Sequence, residues 1–85
     1  MQVLEGKPQI MYPTQWEYRV IGKNKEAIEN VISQVIKKEY ELKEGHHSSH
    51  GKFVSVVVSV EVESEQERDH IFVALRNDEA VNMVL

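Results

Sequence analysis

The chain has no cysteine. That absence removes disulfide scaffolds, iron–sulfur clusters, thiolate zinc sites and a cysteine nucleophile, and it makes the cytoplasm the expected compartment. Glycine is scarce. Gly6, Gly22, Gly45 and Gly51 stand alone, so there is no Gly-rich phosphate loop, and P-loop and dinucleotide folds are excluded. Long apolar runs are missing as well. The longest, Ile71 to Leu75, falls far short of the roughly 20 residues of a membrane helix. No basic start precedes an apolar stretch, so no export signal is expected. Positive charge is in deficit: 10 Lys and Arg against 14 Asp and Glu give a net charge of −4. Phosphate neutralisation supplies most nucleic-acid affinity, and no basic run exceeds Lys37-Lys38. Binding of DNA or of an anionic membrane is therefore not expected, and RNA is disfavoured.

What remains is a short globular chain. Its 85 residues are 41% apolar and 28% charged, enough for one domain with a thin core. Residues 1–11 lack any period and carry Gly6 and Pro8; they read as a loose leader before a single domain over 12–85. Thirteen valines and six isoleucines stand against four leucines. Side chains branched at Cβ fit a pleated surface better than a helix, so the domain is rich in sheet.

Trp16, Tyr18 and Val20 alternate with Glu17 and Arg19, which predicts a first strand from Gln15 to Ile21 with the first three facing inward. Ile28, Val31, Ile32, Val35 and Ile36 form one apolar stripe, a helix from Lys25 to Lys38. Asn24 is its N-cap, and Lys37 and Lys38 complement the C-terminal dipole. Tyr40 to Ser49 reads as a charged edge strand, followed by a turn within 45–51. Lys52 to Glu63 alternates cleanly, with Val54, Val56, Val58, Val60 and Val62 on the buried face. By that facing, Val58→Asp should unfold the domain, whereas Ser59→Asp should be tolerated. Ser64 and Glu67 have the spacing of a capping box for a second helix, Glu65 to Arg76. Val81, Met83 and Leu85 alternate as a short last strand, with Asn82 and Val84 on the opposite face. The order β-α-β-β-α-β, with one apolar stripe per helix, gives an α+β ferredoxin-like sandwich: a four-stranded antiparallel sheet with two helices on one face.

Three constellations bear on chemistry. His46, His47 and His50 could form a metal-binding module, but on a strand His46 and His47 point apart, and the roughly 13 Å from His46 to His50 is too long for a shared ion. No metal site is assigned. Asp69-His70 lies about 100° apart on a helix, which is no arrangement for a triad. Glu61, Glu63, Glu65 and Glu67 read as a wet strand end and a helix start. No cofactor and no catalysis are expected. The open sheet face offers Arg19, Ile21, Phe53, Ser55 and Val57 as a binding surface, with Val84 beside them. An RNA-binding module on that face is the rival, but Phe53 is its one aromatic.

Tyr12-Pro13-Thr14-Gln15-Trp16-Glu17-Tyr18-Arg19-Val20-Ile21-Gly22 resembles the opening signature of the small bacterial YbeD-like family. Ser48 to Val56 is similar to that family's Ser-Ser-x-Gly-x-aromatic-x-Ser stretch, and Val81 to Leu85 to its ending. The resemblance implies a ferredoxin-like fold close to ACT domains, which are regulatory modules that sense amino acids. It carries no established activity and no catalytic residues. ACT domains that bind amino acids place a Gly-Asp type motif in the loop after the first strand. Here that candidate ligand loop is Gly22, Lys23 and Asn24, without the acid. The expectation is a non-catalytic regulatory or adaptor module that binds a protein partner or a small-molecule effector, as a monomer or weak homodimer.

Overall fold

A computed structural model describes residues 10–44 and 52–85. The elements follow the order β1 (Thr14–Gly22), α1 (Lys25–Val35), β2 (Tyr40–Glu44), β3 (Val54–Val62), α2 (Glu65–Arg76) and β4 (Met83–Val84). The strands form one antiparallel sheet in the order β2-β3-β1-β4. This is the ferredoxin-like arrangement read from the periodicity, with the valine-rich strand central. The histidines at 46, 47 and 50, and the expected turn over 45–51, lie outside the described residues.

β1 and β3 pair over their full length, from Thr14 opposite Val62 to Gly22 opposite Val54. The register sets Tyr18 beside Val58 and Val20 beside Val56, and all four are buried with Val60 and Val62. Ile28, Val31 and Ile32 of α1 and Ile71 and Leu75 of α2 close over that face. Asn24 Oδ1 accepts from the Ala27 amide, and Ser64 Oγ accepts from the Glu67 amide, so both N-caps act as the sequence indicates. The return half of the capping box is displaced by one residue: Glu67 Oε1 accepts from the Glu63 amide at 2.7 Å.

Four features depart from what the periodicity implies. α1 stops at Val35, short of Lys38. The Ile36 amide still donates to the Ile32 carbonyl and its side chain is buried, but its backbone is extended. The chain then carries Lys38 across to the second layer, where Nζ donates to the Glu61 carbonyl at 2.9 Å and meets Glu67 Oε2 at 3.0 Å. Two contacts of that kind outweigh the 0.3–1 kcal/mol or so that the helix dipole offers a lysine. β3 begins at Val54, so Lys52 and Phe53 precede it and Glu63 follows its end. β4 is two residues long and has the opposite phase to the one expected. Val84 pairs with Val20 and is buried, while Met83 pairs with Ile21 and is 50% exposed. Val81 is buried as well. A straight strand cannot send positions three apart to one face, so the chain bends at Asn82. Finally, Ser59 is on the open face as expected but is only 6% exposed, because the Gln15 amide covers it and donates to its Oγ at 3.1 Å.

Candidate binding groove

The inner face of β1 outruns the helix that should cover it. α2 buries Ile71 and Leu75, whereas Phe72 remains half-buried. Trp16, two residues upstream of the fully packed Tyr18, is also only half-buried. Between β1 and α2 an open groove of about 520 Å³ is lined by Trp16, Tyr18, Arg68, Asp69, Phe72 and Leu85, with Glu17 at its lip.

Arg68 organises the groove. Its guanidinium lies 4.7 Å from the centre of the Trp16 ring, a cation–π geometry. It donates to the Tyr12 hydroxyl at 3.2 Å and to Asp69 Oδ1 at 3.2 Å, and it lies 3.6 Å from Glu65 Oε2. Its side chain is 19% exposed. The Arg68 carbonyl also accepts from the Tyr18 hydroxyl at 2.7 Å. Burial pushes the Tyr18 phenol up to about 12, partly offset by the Arg68 charge. Tyr18 therefore stays a neutral donor that fixes α2 against β1. The groove offers aromatic faces and a held cation but no nucleophile paired with a base.

A second, smaller groove of about 290 Å³ lies between the end of α1 and α2, lined by Val35, Ile36, Lys38, Glu67, His70 and Ile71 among others. His70 is on its rim, while Asp69 faces Arg68 in the first groove. Those two side chains thus serve different sites, as their helical spacing implies. Among the described residues, no three His, Cys, Asp or Glu side chains cluster as metal ligands.

The open face brings together four of the residues singled out for it. Arg19 is opposite Val57, and Ile21 is opposite Ser55. Phe53 lies just outside the strand, and Val84, expected beside them, points into the core. The apolar group on this face next to Ile21 is instead Met83. The face is laced with charge: Lys43 Nζ lies 3.6 Å from Glu17 Oε2. In the loop after β1, Gly22 is buried, and a Cβ there would lie 2.5 Å from the Ala80 carbonyl oxygen and 3.1 Å from Ile28. Asn24 is occupied as the α1 cap. Two of the three loop residues thus already have structural roles, and the third, Lys23, is exposed.

The β1–α2 groove was not singled out from the sequence, although a signal was present. Tyr12, Trp16 and Tyr18 crowd one short stretch, and Arg68 and Phe72 are one helical turn apart. Three large aromatics at the end of a sheet need more cover than one short stripe on a helix supplies.

A family described as "Protein of unknown function (DUF493)" matches residues 7–85. An uncharacterised protein of Campylobacter jejuni is 38% identical over 77 residues, spanning 86% of this chain and 85% of its own. An uncharacterised protein of Helicobacter pylori is 36% identical over 76 residues, spanning 88% of each. The solution structure of the Helicobacter pylori protein HP0495 superposes with a TM-score of 0.82 at 32% identity, covering 100% of this chain and 94% of that one.

Proposed function

Since the chain belongs to the DUF493 family of proteins of unknown function, we propose that it is a non-catalytic regulatory or adaptor domain that acts by binding. One observation carries this reading. Trp16, Phe72 and the stacked Arg68 leave a concave, largely aromatic surface open to solvent beside a rigid sheet. Large, stiff aromatics next to a positioned guanidinium are what binding surfaces concentrate. Its lining sets Arg68, Asp69 and Glu17 beside those rings, polar groups that orient a bound partner. The ACT-like regulatory role and the cytoplasmic location belong to this proposal; the cysteine-free composition supports the location.

The test is an amide-correlation NMR titration of labelled protein, first with a mixed metabolite pool including amino acids and then with a fractionated bacterial extract. Trp16 is the single tryptophan, so its indole N–H resonance reports the groove directly. Shifts confined to Trp16, Arg68, Asp69 and Phe72 are expected. Shifts confined to the Gly22–Asn24 loop or to Arg19 and Val57 would move the site elsewhere. A spectrum silent to both mixtures would sink the reading.

A further inference from the structure

β1 is nine residues long, but β4 pairs with only its last part. The Arg19 amide donates to the Leu85 carbonyl at 3.0 Å, the Leu85 amide returns to the Arg19 carbonyl at 2.9 Å, and the Asn82 amide reaches the Ile21 carbonyl at 2.7 Å. In an antiparallel ladder the amide and carbonyl of one residue face the same neighbour, and alternate residues face the same way. The main-chain groups of Glu17 and Gln15 therefore face the same side as those of Arg19. Among the described residues, no strand pairs with β1 there beyond Arg19. The aromatic groove opens beside this uncovered edge, with α2 as its far wall.

A free edge next to a strand–helix groove suits an added strand: main-chain bonds give affinity and alternate side chains give selectivity. We propose that this edge binds an extended peptide segment of another protein, laid along β1 in line with β4, with apolar and basic side chains alternating. This rests on the binding-module reading and names the partner's chemistry. Side chains level with Trp16 and Tyr18 enter the groove against Phe72 and must be apolar. The side chain level with Glu17 lies on the open face. Asp69 and Glu65 hold the Arg68 charge between them, and Glu17 shares one exposed lysine at 3.6 Å. Arg19, two residues along the same face, balances the charges around the edge, but the position level with Glu17 is that residue's direct cross-strand neighbour, where an opposite, basic charge is favoured.

The probe is an acetylated, amidated five-residue peptide alternating valine and lysine. Its controls are the same peptide with N-methylated backbone amides and a valine–glutamate counterpart. Trp16 fluorescence reads occupancy, and hydrogen exchange reads the Gln15 and Glu17 amides. Saturable quenching or a spectral shift is expected, together with at least tenfold slower exchange at both amides. Either control peptide should bind at least tenfold more weakly, and Glu17→Lys should reverse the lysine–glutamate preference. Equal binding of the N-methylated peptide overturns the proposal. So does protection of both amides already in the peptide-free protein, which would mean that a second copy or another part of the chain occupies the edge. A Trp16 response without new protection at Gln15 and Glu17 leaves a binding groove standing and refutes strand addition. No response up to millimolar peptide refutes it outright.

Discussion

Ser59→Asp separates what alternation implies from what packing imposes. Ser59 is on the solvent-side face of β3, where a carboxylate would ordinarily be harmless. Its register neighbours, however, are Glu17 on β1 and Glu41 on β2, and the Gln15 amide covers its hydroxyl. A carboxylate there would lie between two others at cross-strand distances of about 5–6 Å. Each repulsion is about 0.7 kcal/mol at the dielectric of water and about 3 kcal/mol at an effective value of 20. Glu17 is mostly exposed and partly neutralised by Lys43, so the total is about 2–4 kcal/mol. Donation from Gln15 to the new carboxylate recovers about 1 kcal/mol. The net loss of about 2 kcal/mol lowers the melting temperature by about 8–16 °C in a domain this small. The crowded carboxyl has a raised folded-state pKa, so its penalty applies above that pKa and fades as the pH falls toward its unfolded value. Urea unfolding at pH 7 and pH 4 should therefore show a gap from the wild type that narrows in acid, while Ser59→Lys should be neutral or stabilising. A Ser59→Asp protein as stable as the wild type at pH 7, or a gap that does not narrow, would refute the reasoning.

Gly22→Ala forces a Cβ to within 2.5 Å of the Ala80 carbonyl oxygen; it should cost about 1–3 kcal/mol in urea unfolding and speed amide exchange in β4. Glu67 is held below the usual carboxylate range, first by the Glu63 amide and then by Lys38. The stability it contributes is therefore present above its unfolded pKa and lost as the pH falls through its folded one, and Glu67→Gln should flatten that acid limb in pH-dependent melts. Burial raises the Tyr18 phenol to about 12, so its contribution is intact below pH 10 and lost as the pH rises toward 12. Tyr18→Phe should abolish that alkaline loss while costing about 1 kcal/mol at pH 7, both readable by chemical denaturation.

Local signals carried most of the architecture. The caps at Asn24 and Ser64, the stripe from Ile28 to Ile36 and the valines of β3 each report on neighbours within a few residues, and the element order followed from them. The departures share the opposite property. α1 ends where it does because Lys38 finds Glu61 and Glu67 on other elements. The phase of β4 depends on Val84 meeting Val20 and on the bend at Asn82. Ser59 is buried by Gln15, 44 residues away in the chain. The groove exists because α2 is too sparse in apolar residues to cover Trp16, a mismatch between two surfaces that neither strand nor helix displays alone.

The pairing of β1 with β3 also sets how quickly the native state can be reached. β2 and β3 are neighbours in the chain and can meet early, but β1 must find β3 across the whole of α1 and β2 before any of their bonds form. The loop-closure entropy of that search comes due before the burial that offsets it. β4 can dock only after β1 is seated, because its bonds are to Arg19 and Ile21. Seating β1 is thus the step that gates refolding, and the last element to close is also the first able to open. Stopped-flow refolding should show Val20→Ala slowing the folding limb, while Val84→Ala acts almost wholly on unfolding; the reverse pattern would place β4 in the nucleus.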